Sequence, residues 1–165
     1  MRLGVIAVGR LKNGPERDLV ARYRARAEAL GRSLGITAVE LIEIAESRAR
    51  RDADRRAEEA EAILAKAGGS VLVAFDERGR AGITSEAFAE GIGTWRDEGR
   101  TALAFVIGGP DGLDDRIRRQ AHLVVSFGAL TLAHQLVRVL VLEQVYRALT
   151  ILAGHPYHRG DRGEP

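Results

Sequence analysis

The chain contains no cysteine, which excludes disulfides, a thiolate-bound zinc and a cysteine nucleophile. Lysine is almost as scarce. Lys12 and Lys66 are the only two among 25 basic residues, so arginine, whose planar fork suits phosphate, carries the positive charge. A base-composition bias produces the same skew, and both readings stand at this point. No apolar run reaches the ~18 residues of a membrane span. The apolar opening, residues 3–8, is too short for a signal peptide, and a cytoplasmic protein is expected. The stretch Ile107-Gly108-Gly109-Pro110-Asp111-Gly112-Leu113 does not fit G-x-G-x-x-G and lacks the lysine of a Walker A loop. Neither a dinucleotide nor a nucleoside triphosphate fingerprint is therefore present.

Among what is there, 165 residues suit one domain, and 45% hydrophobic content supplies a core. We expect a single domain over 1–159 and a disordered tail over 160–165. The net charge of +2 and isoelectric point near 9.4 describe a mildly basic protein, able to hold RNA if its arginines share a face. Arg22, Arg24, Arg26, Arg48, Arg50 and Arg51 are candidate phosphate contacts; a solvated helix face is the alternative.

Apolar runs alternate with amphipathic stretches. Strands are predicted over 3–8, 38–44, 70–75, 101–107 and 122–127, and helices over 15–30, 47–67, 85–98, 114–121 and 133–153. This alternation predicts an α/β fold with a parallel sheet and helices on both faces. Ligands of such sheets sit beyond the carboxyl ends of the strands, which singles out residues 75–76, 108–112 and 127–132.

Four segments carry possible chemistry. Gly108, Gly109 and Gly112 allow either close ligand approach or a tight turn. Residues 126–132 form a small-residue loop whose free backbone groups suit an adenine edge. Behind it, His134 and Arg138 share a helix face, as cofactor or RNA contacts or as structural groups. The last helix is apolar nearly all round and requires cover, from a second copy or from within the chain. Gly154-His155-Pro156-Tyr157-His158-Arg159 collects groups that stack on bases, bind phosphate and move protons. Its rival readings are a frayed end and a metal site, the latter lacking enough ligands nearby.

In order along the chain, 107–113, Ser126-Phe127 to Thr131-Leu132, His134, Arg138-Val139, Glu143-Gln144-Val145-Tyr146-Arg147-Ala148 and His155-Pro156-Tyr157-His158 resemble the ribosomal RNA large-subunit methyltransferase H family. The resemblance spans almost the whole chain. It implies a SPOUT fold with a C-terminal trefoil knot, a homodimer and S-adenosylmethionine (SAM) bound in the knot. It also implies methylation of N3 of a pseudouridine in large-subunit rRNA on the assembled ribosome. Matched residue by residue, it assigns cofactor contacts to Phe75, Gly108, Phe127, Gly128, Ala129, Leu130, Thr131 and Leu132. Arg138, His155, Tyr157 and His158 are then expected at the reacting nucleotide, with His134, Arg138 and Arg159 on RNA and no metal. Ala133 departs from the family, which carries proline there. A SPOUT enzyme acting on tRNA and a non-catalytic ribosome-associated RNA-binding protein are the alternatives.

Overall fold

The computed structural model describes residues 1–157; His158, Arg159 and the expected tail over 160–165 lie outside the described residues. Five strands alternate with helices: β1 Arg2–Val8, α1 Pro15–Gly31, β2 Ala38–Ile44, α2 Asp52–Ala67, β3 Val71–Arg80, α3 Ser85–Asp97, β4 Ala102–Ile107, α4 Asp115–Gln120, β5 Leu123–Val125 and α5 His134–Leu152. All pairings are parallel, in the order β2-β1-β4-β3-β5.

The order follows from burial. Leu3, Val5, Ile6, Ala7 and Val8 of β1, and residues 103–107 of β4, are all buried. Strands apolar on both faces belong at the centre of a covered sheet. β2 exposes Glu40 and Glu43 and takes an edge. One sheet face packs Leu3, Val5, Val73 and Phe105 against α1, α3 and α5; the other packs Ile6, Val8, Ala74 and Val106 against α2 and α4. Each fully buried aliphatic side chain contributes roughly 1.5–3 kcal/mol.

Three boundaries differ from expectation. Residues 47–51 are not helical, and α2 starts at Asp52. The earlier segment is a loop whose backbone is held from afar: Ser47 N donates to Glu59 Oε1 at 3.0 Å, and Arg55 Nη1 donates to the carbonyls of Ala49 and Arg50 at 3.1 Å each. β3 runs on to Arg80, past the predicted strand end at residue 75. Val125 is registered against both Phe75 and Arg80, so residues 76–79 bow out of the ladder and return to the same point of β5. β5 itself is only three residues long.

Glu59 is 5% exposed, and burial, with Asp111 and Glu46 adding repulsion, pushes its pKa up from the usual 4.5. A raised folded-state pKa means that stability is lost as pH climbs above the unfolded value. Glu59→Gln should therefore match the parent in urea midpoint at pH 4 and exceed it at pH 7.5. A less stable variant at pH 7.5 would show that attraction to Arg55 outweighs burial.

Candidate active site

Because every strand is parallel, all carboxyl ends meet at one edge of the sheet. The three segments marked in the sequence converge there on a cleft of about 910 Å³, lined by Phe75, the loop 107–113, and residues 125–128, 130–132 and 134. Ala129 belongs to the same loop but does not line the cleft. Phe127, 38% exposed, stacks on Phe75 with ring centroids 5.3 Å apart and planes 16° apart. The backbone of residues 129–132 makes no hydrogen bond among the described residues. Gly128 adopts φ +110, with nothing within 4 Å of where a Cβ would stand. An aromatic wall thus faces a loop with free donors and acceptors.

The glycines of the β4 exit serve the loop itself before any ligand. A Cβ on Gly108 would fall 2.9 Å from the Gly112 carbonyl carbon, and one on Gly109 would fall 3.0 Å from both Val8 Cγ1 and Glu59 Oε2. Gly112 takes φ +79 and its N–H closes the turn on Gly109 O at 2.9 Å. Asp114 caps α4 through the Arg116 N–H, whereas Asp111 pairs with Arg55 on α2 at 2.6 Å.

Arg118 was not apparent from sequence. Its Nη1 donates to Asp76 Oδ2 at 2.8 Å and to Leu113 O at 2.7 Å, and its Nη2 reaches Asp115. One α4 guanidinium therefore ties the β3 exit to the β4 exit. The charged lining as a whole balances, five arginines against five carboxylates, so the cleft suits a ligand of mixed charge better than a polyanion.

His134 lines the cleft, and Arg138 lies behind it. His134 Nε2 sits 2.7 Å from Val8 O. A carbonyl only accepts, so Nε2 carries the proton and Nδ1 keeps a lone pair. Burial, with Arg138 adding repulsion, lowers the His134 pKa, so the ring is neutral at pH 7. Arg138 is 1% exposed. It donates from Nη1 to Glu43 at 2.8 Å and from Nη2 to Val8 O at 2.7 Å and Gly9 O at 2.9 Å; among the described residues Nε has no partner. Its 3.0 Å approach to His134 Nε2 sets donor against donor, both converging on Val8 O. The expected contact of Arg138 with RNA would require this clamp to open. Ala133, at the head of α5, has φ −59, the angle a proline ring imposes.

The terminal cluster lies elsewhere. Tyr157 folds back along α5 onto Glu143, Tyr146 and Arg147, and Glu143 stands roughly 14 Å past the cleft residue His134 at 1.5 Å per residue. The Tyr157 hydroxyl donates to Glu143 Oε1 at 3.3 Å, its ring packs on Tyr146 at 4.9 Å, and Arg147 lies over it at 5.2 Å. The Glu143–Arg147 pair, at 2.7 Å, reads from sequence as ordinary helix support and is in fact the seat of Tyr157. Burial and the Glu143 charge push the Tyr157 phenol up to about 12, which makes it a hydrogen-bond donor, not a base. His155 is exposed, and its Nδ1 accepts the Tyr157 N–H at 3.2 Å.

Cover for α5 comes largely from within the chain: Val141, Leu142, Val145, Ala148 and Leu149 are all 0% exposed. Apolar exposure persists near its start, at Leu136 (45%) and Leu130 (83%). Arg22, Arg24 and Arg26 are exposed on α1, while Arg48, Arg50 and Arg51 precede α2. The six therefore come from two separate elements. Among the described residues, no group of three or more His, Cys, Asp or Glu side chains could hold a metal ion, and no helix is long and apolar enough to cross a membrane.

The family model described as predicted SPOUT methyltransferase matches residues 1–158. The chain is 67% identical over 162 residues to the ribosomal RNA large subunit methyltransferase H of Methylorubrum populi, covering 98% of each. It is 59% identical over 161 residues to the same-named protein of Nitrobacter hamburgensis, covering 97% of this chain and all of that one. Among solved structures, a probable methylase family protein from Haemophilus influenzae aligns with TM-score 0.50 at 15% identity, over 99% of this chain and 71% of that one. That likeness concerns the fold alone.

Proposed function

The chain belongs to the SPOUT methyltransferase family, within the group of ribosomal RNA large subunit methyltransferase H, and on that footing we propose that it methylates N3 of a pseudouridine in large-subunit rRNA, on the assembled ribosome in the cytoplasm, with SAM as donor. The observation that carries this reading is the convergence of the β3, β4 and β5 exits on one cleft. The residues fit an adenosine: Phe75 and Phe127 offer an aromatic face, and residues 129–132 offer unpaired backbone donors and acceptors. The trefoil knot is inferred from membership of the family.

When bound, the donor supplies an electrophilic methyl on a sulfonium. The chain's task is to hold the target nitrogen in line with that methyl and to ease loss of the N3 proton. Phe75, Gly108 and residues 127–132 hold the donor. Arg138 fixes the β1 exit and, through Val8 O, the His134 ring. His134, which lines the cleft, carries a neutral nitrogen lone pair at Nδ1. Tyr157, with His155 and with His158 and Arg159 beyond the described residues, engages the nucleotide by stacking and hydrogen bonding. Tyr157 is seated on Glu143, Tyr146 and Arg147 and does not line its own cleft, so it acts on the cleft of a second copy in a homodimer.

The test is incubation of the full chain with large ribosomal subunits and whole ribosomes lacking the modification, using methyl-labelled SAM and mass mapping of the product. Label at N3 of an rRNA pseudouridine is expected. Label in tRNA alone, or absence of SAM binding by calorimetry, overturns the reading. In the same assay Tyr157→Phe should lower turnover on the order of tenfold, the loss of one hydrogen bond, with SAM affinity unchanged. Unaltered turnover removes the terminus from the mechanism.

A further inference from the structure

Resting on that reading, we propose that the exit loops of β1 and β2 grip the sugar-phosphate backbone of the RNA substrate, with Arg10, Lys12, Arg48 and Arg50 as the cations. β1 and β2 are parallel neighbours in register from Arg2↔Ala38 to Val8↔Ile44, and Gly9 N donates to Ile44 O at 2.7 Å. Loops 9–14 and 45–51 therefore leave side by side, from the sheet edge that also carries the cleft.

Charge separates these loops from the cleft. Around the cleft, four of five arginines are paired with carboxylates, Arg118 with Asp76 and Asp115, Arg116 with Asp114, Arg78 with Asp115 and Arg56 with Asp52, and Arg119 alone has no ion pair within 4 Å among the described residues. Arg10, Lys12, Arg48 and Arg50 are exposed, and none makes an ion pair within 4 Å among the described residues. Of the nearby acids, Glu43 is held by Arg138 and Glu58 by Ser47. Glu46, beside Gly9, and Glu16, beside Gly14, are left among the described residues, two carboxylates against four cations.

The loops are also rigid. Leu11 is 8% exposed, and its N–H donates to Glu43 at 2.7 Å, which turns the flanking Arg10 and Lys12 outward. In the second loop Ser47 is bound to buried Glu59, and Ala49 N donates to Ser47 Oγ at 3.1 Å. Pre-set cations lose little entropy on engaging phosphate. Arg55 completes the device. Nη1 holds the Ala49 and Arg50 carbonyls, while Nε and Nη2 grip Asp111 of the β4 exit at 2.6 and 3.0 Å. One guanidinium thus sets the phosphate grip at a fixed offset from the cleft.

The experiment uses full-length double variants, Arg48→Glu with Arg50→Glu and Arg10→Glu with Lys12→Glu. Initial rates are measured on unmodified large ribosomal subunits across a salt series, and SAM affinity by calorimetry. Each pair should raise KM for the subunits about tenfold or more and flatten the slope of log KM against log salt by about 2, since each lost phosphate contact removes just under one. SAM affinity should stay within twofold, which also reports an intact fold. Arg32→Gln with Arg100→Gln, exposed at the opposite, amino-terminal edge of the sheet, should change nothing. An unchanged KM, or a raised KM with an unchanged slope as a protein contact would give, overturns the proposal. Should the parent protein transfer no methyl to RNA, the functional reading fails instead, and filter binding of large-subunit rRNA by the same variants across salt still decides the grip.

Discussion

Gly79→Ala should be the most damaging single-methyl change in the chain, costing about 3 kcal/mol or more and abolishing donor binding. Its Cβ would fall 2.6 Å from Val125 C and 2.9 Å from both Val124 C and Ser126 N. All three are backbone atoms of β5 and its exit, so no rotamer change relieves the clash. Overpacking ordinarily costs 1–3 kcal/mol, with side chains yielding; here a strand must move. Ser126 N also donates to Arg80 O at 3.0 Å, so displacing β5 breaks the ladder and shifts the loop 126–132 that follows. Gly82→Ala is the control. It has φ +74 and open space around it, so only backbone strain of about 1 kcal/mol is expected. Urea midpoints and SAM calorimetry on the two variants read the difference; equal midpoints would show that the bow is slack.

Arg138→Met should cost roughly 2–3 kcal/mol and reduce methyl transfer to near background. Methionine keeps most of the volume and removes the charge, so packing is largely spared. Gly9 O then loses its Arg138 donor, and Glu43 loses its ion pair. Breaking a buried pair costs roughly 3–5 kcal/mol. Glu43 is 31% exposed and keeps the Leu11 N–H, which places the cost at or just below the lower end of that range. Activity falls further than stability because the β1 exit and the His134 ring share Val8 O with this guanidinium. Lysine should not rescue, since one ammonium cannot span Glu43 and two carbonyls. Were Arg138 instead a direct RNA contact, its loss would weaken RNA binding with the urea midpoint unaltered.

The sheet was legible because its central strands are continuous apolar runs, at residues 3–8 and 103–107, that no amphipathic helix would carry. The cleft was legible because parallel strands put all their exits on one edge. What stayed hidden depends on contacts between residues far apart in the chain. The helix-favouring composition of 47–51 yields to Glu59 and Arg55, which claim that backbone from within α2. Asp76-Glu77-Arg78-Gly79 looks like a turn, yet β3 continues to Arg80 because β5, some 45 residues later, offers it an edge. His134 and Arg138 were placed together by their spacing of four, but their partners on the β1 exit lie some 125 residues earlier. Arg118 had no local mark at all, since its partners are Asp76 and the Leu113 carbonyl.

The seat of Tyr157 against the side of α5 carries a thermodynamic corollary. If the donor and the Tyr157 cluster must meet on one nucleotide, a solitary chain is idle however well it folds. Output per chain then tracks self-association, so it collapses on dilution below the dimer dissociation constant. Scarce copies would be silent and abundant ones fully competent, with no effector needed to set the threshold.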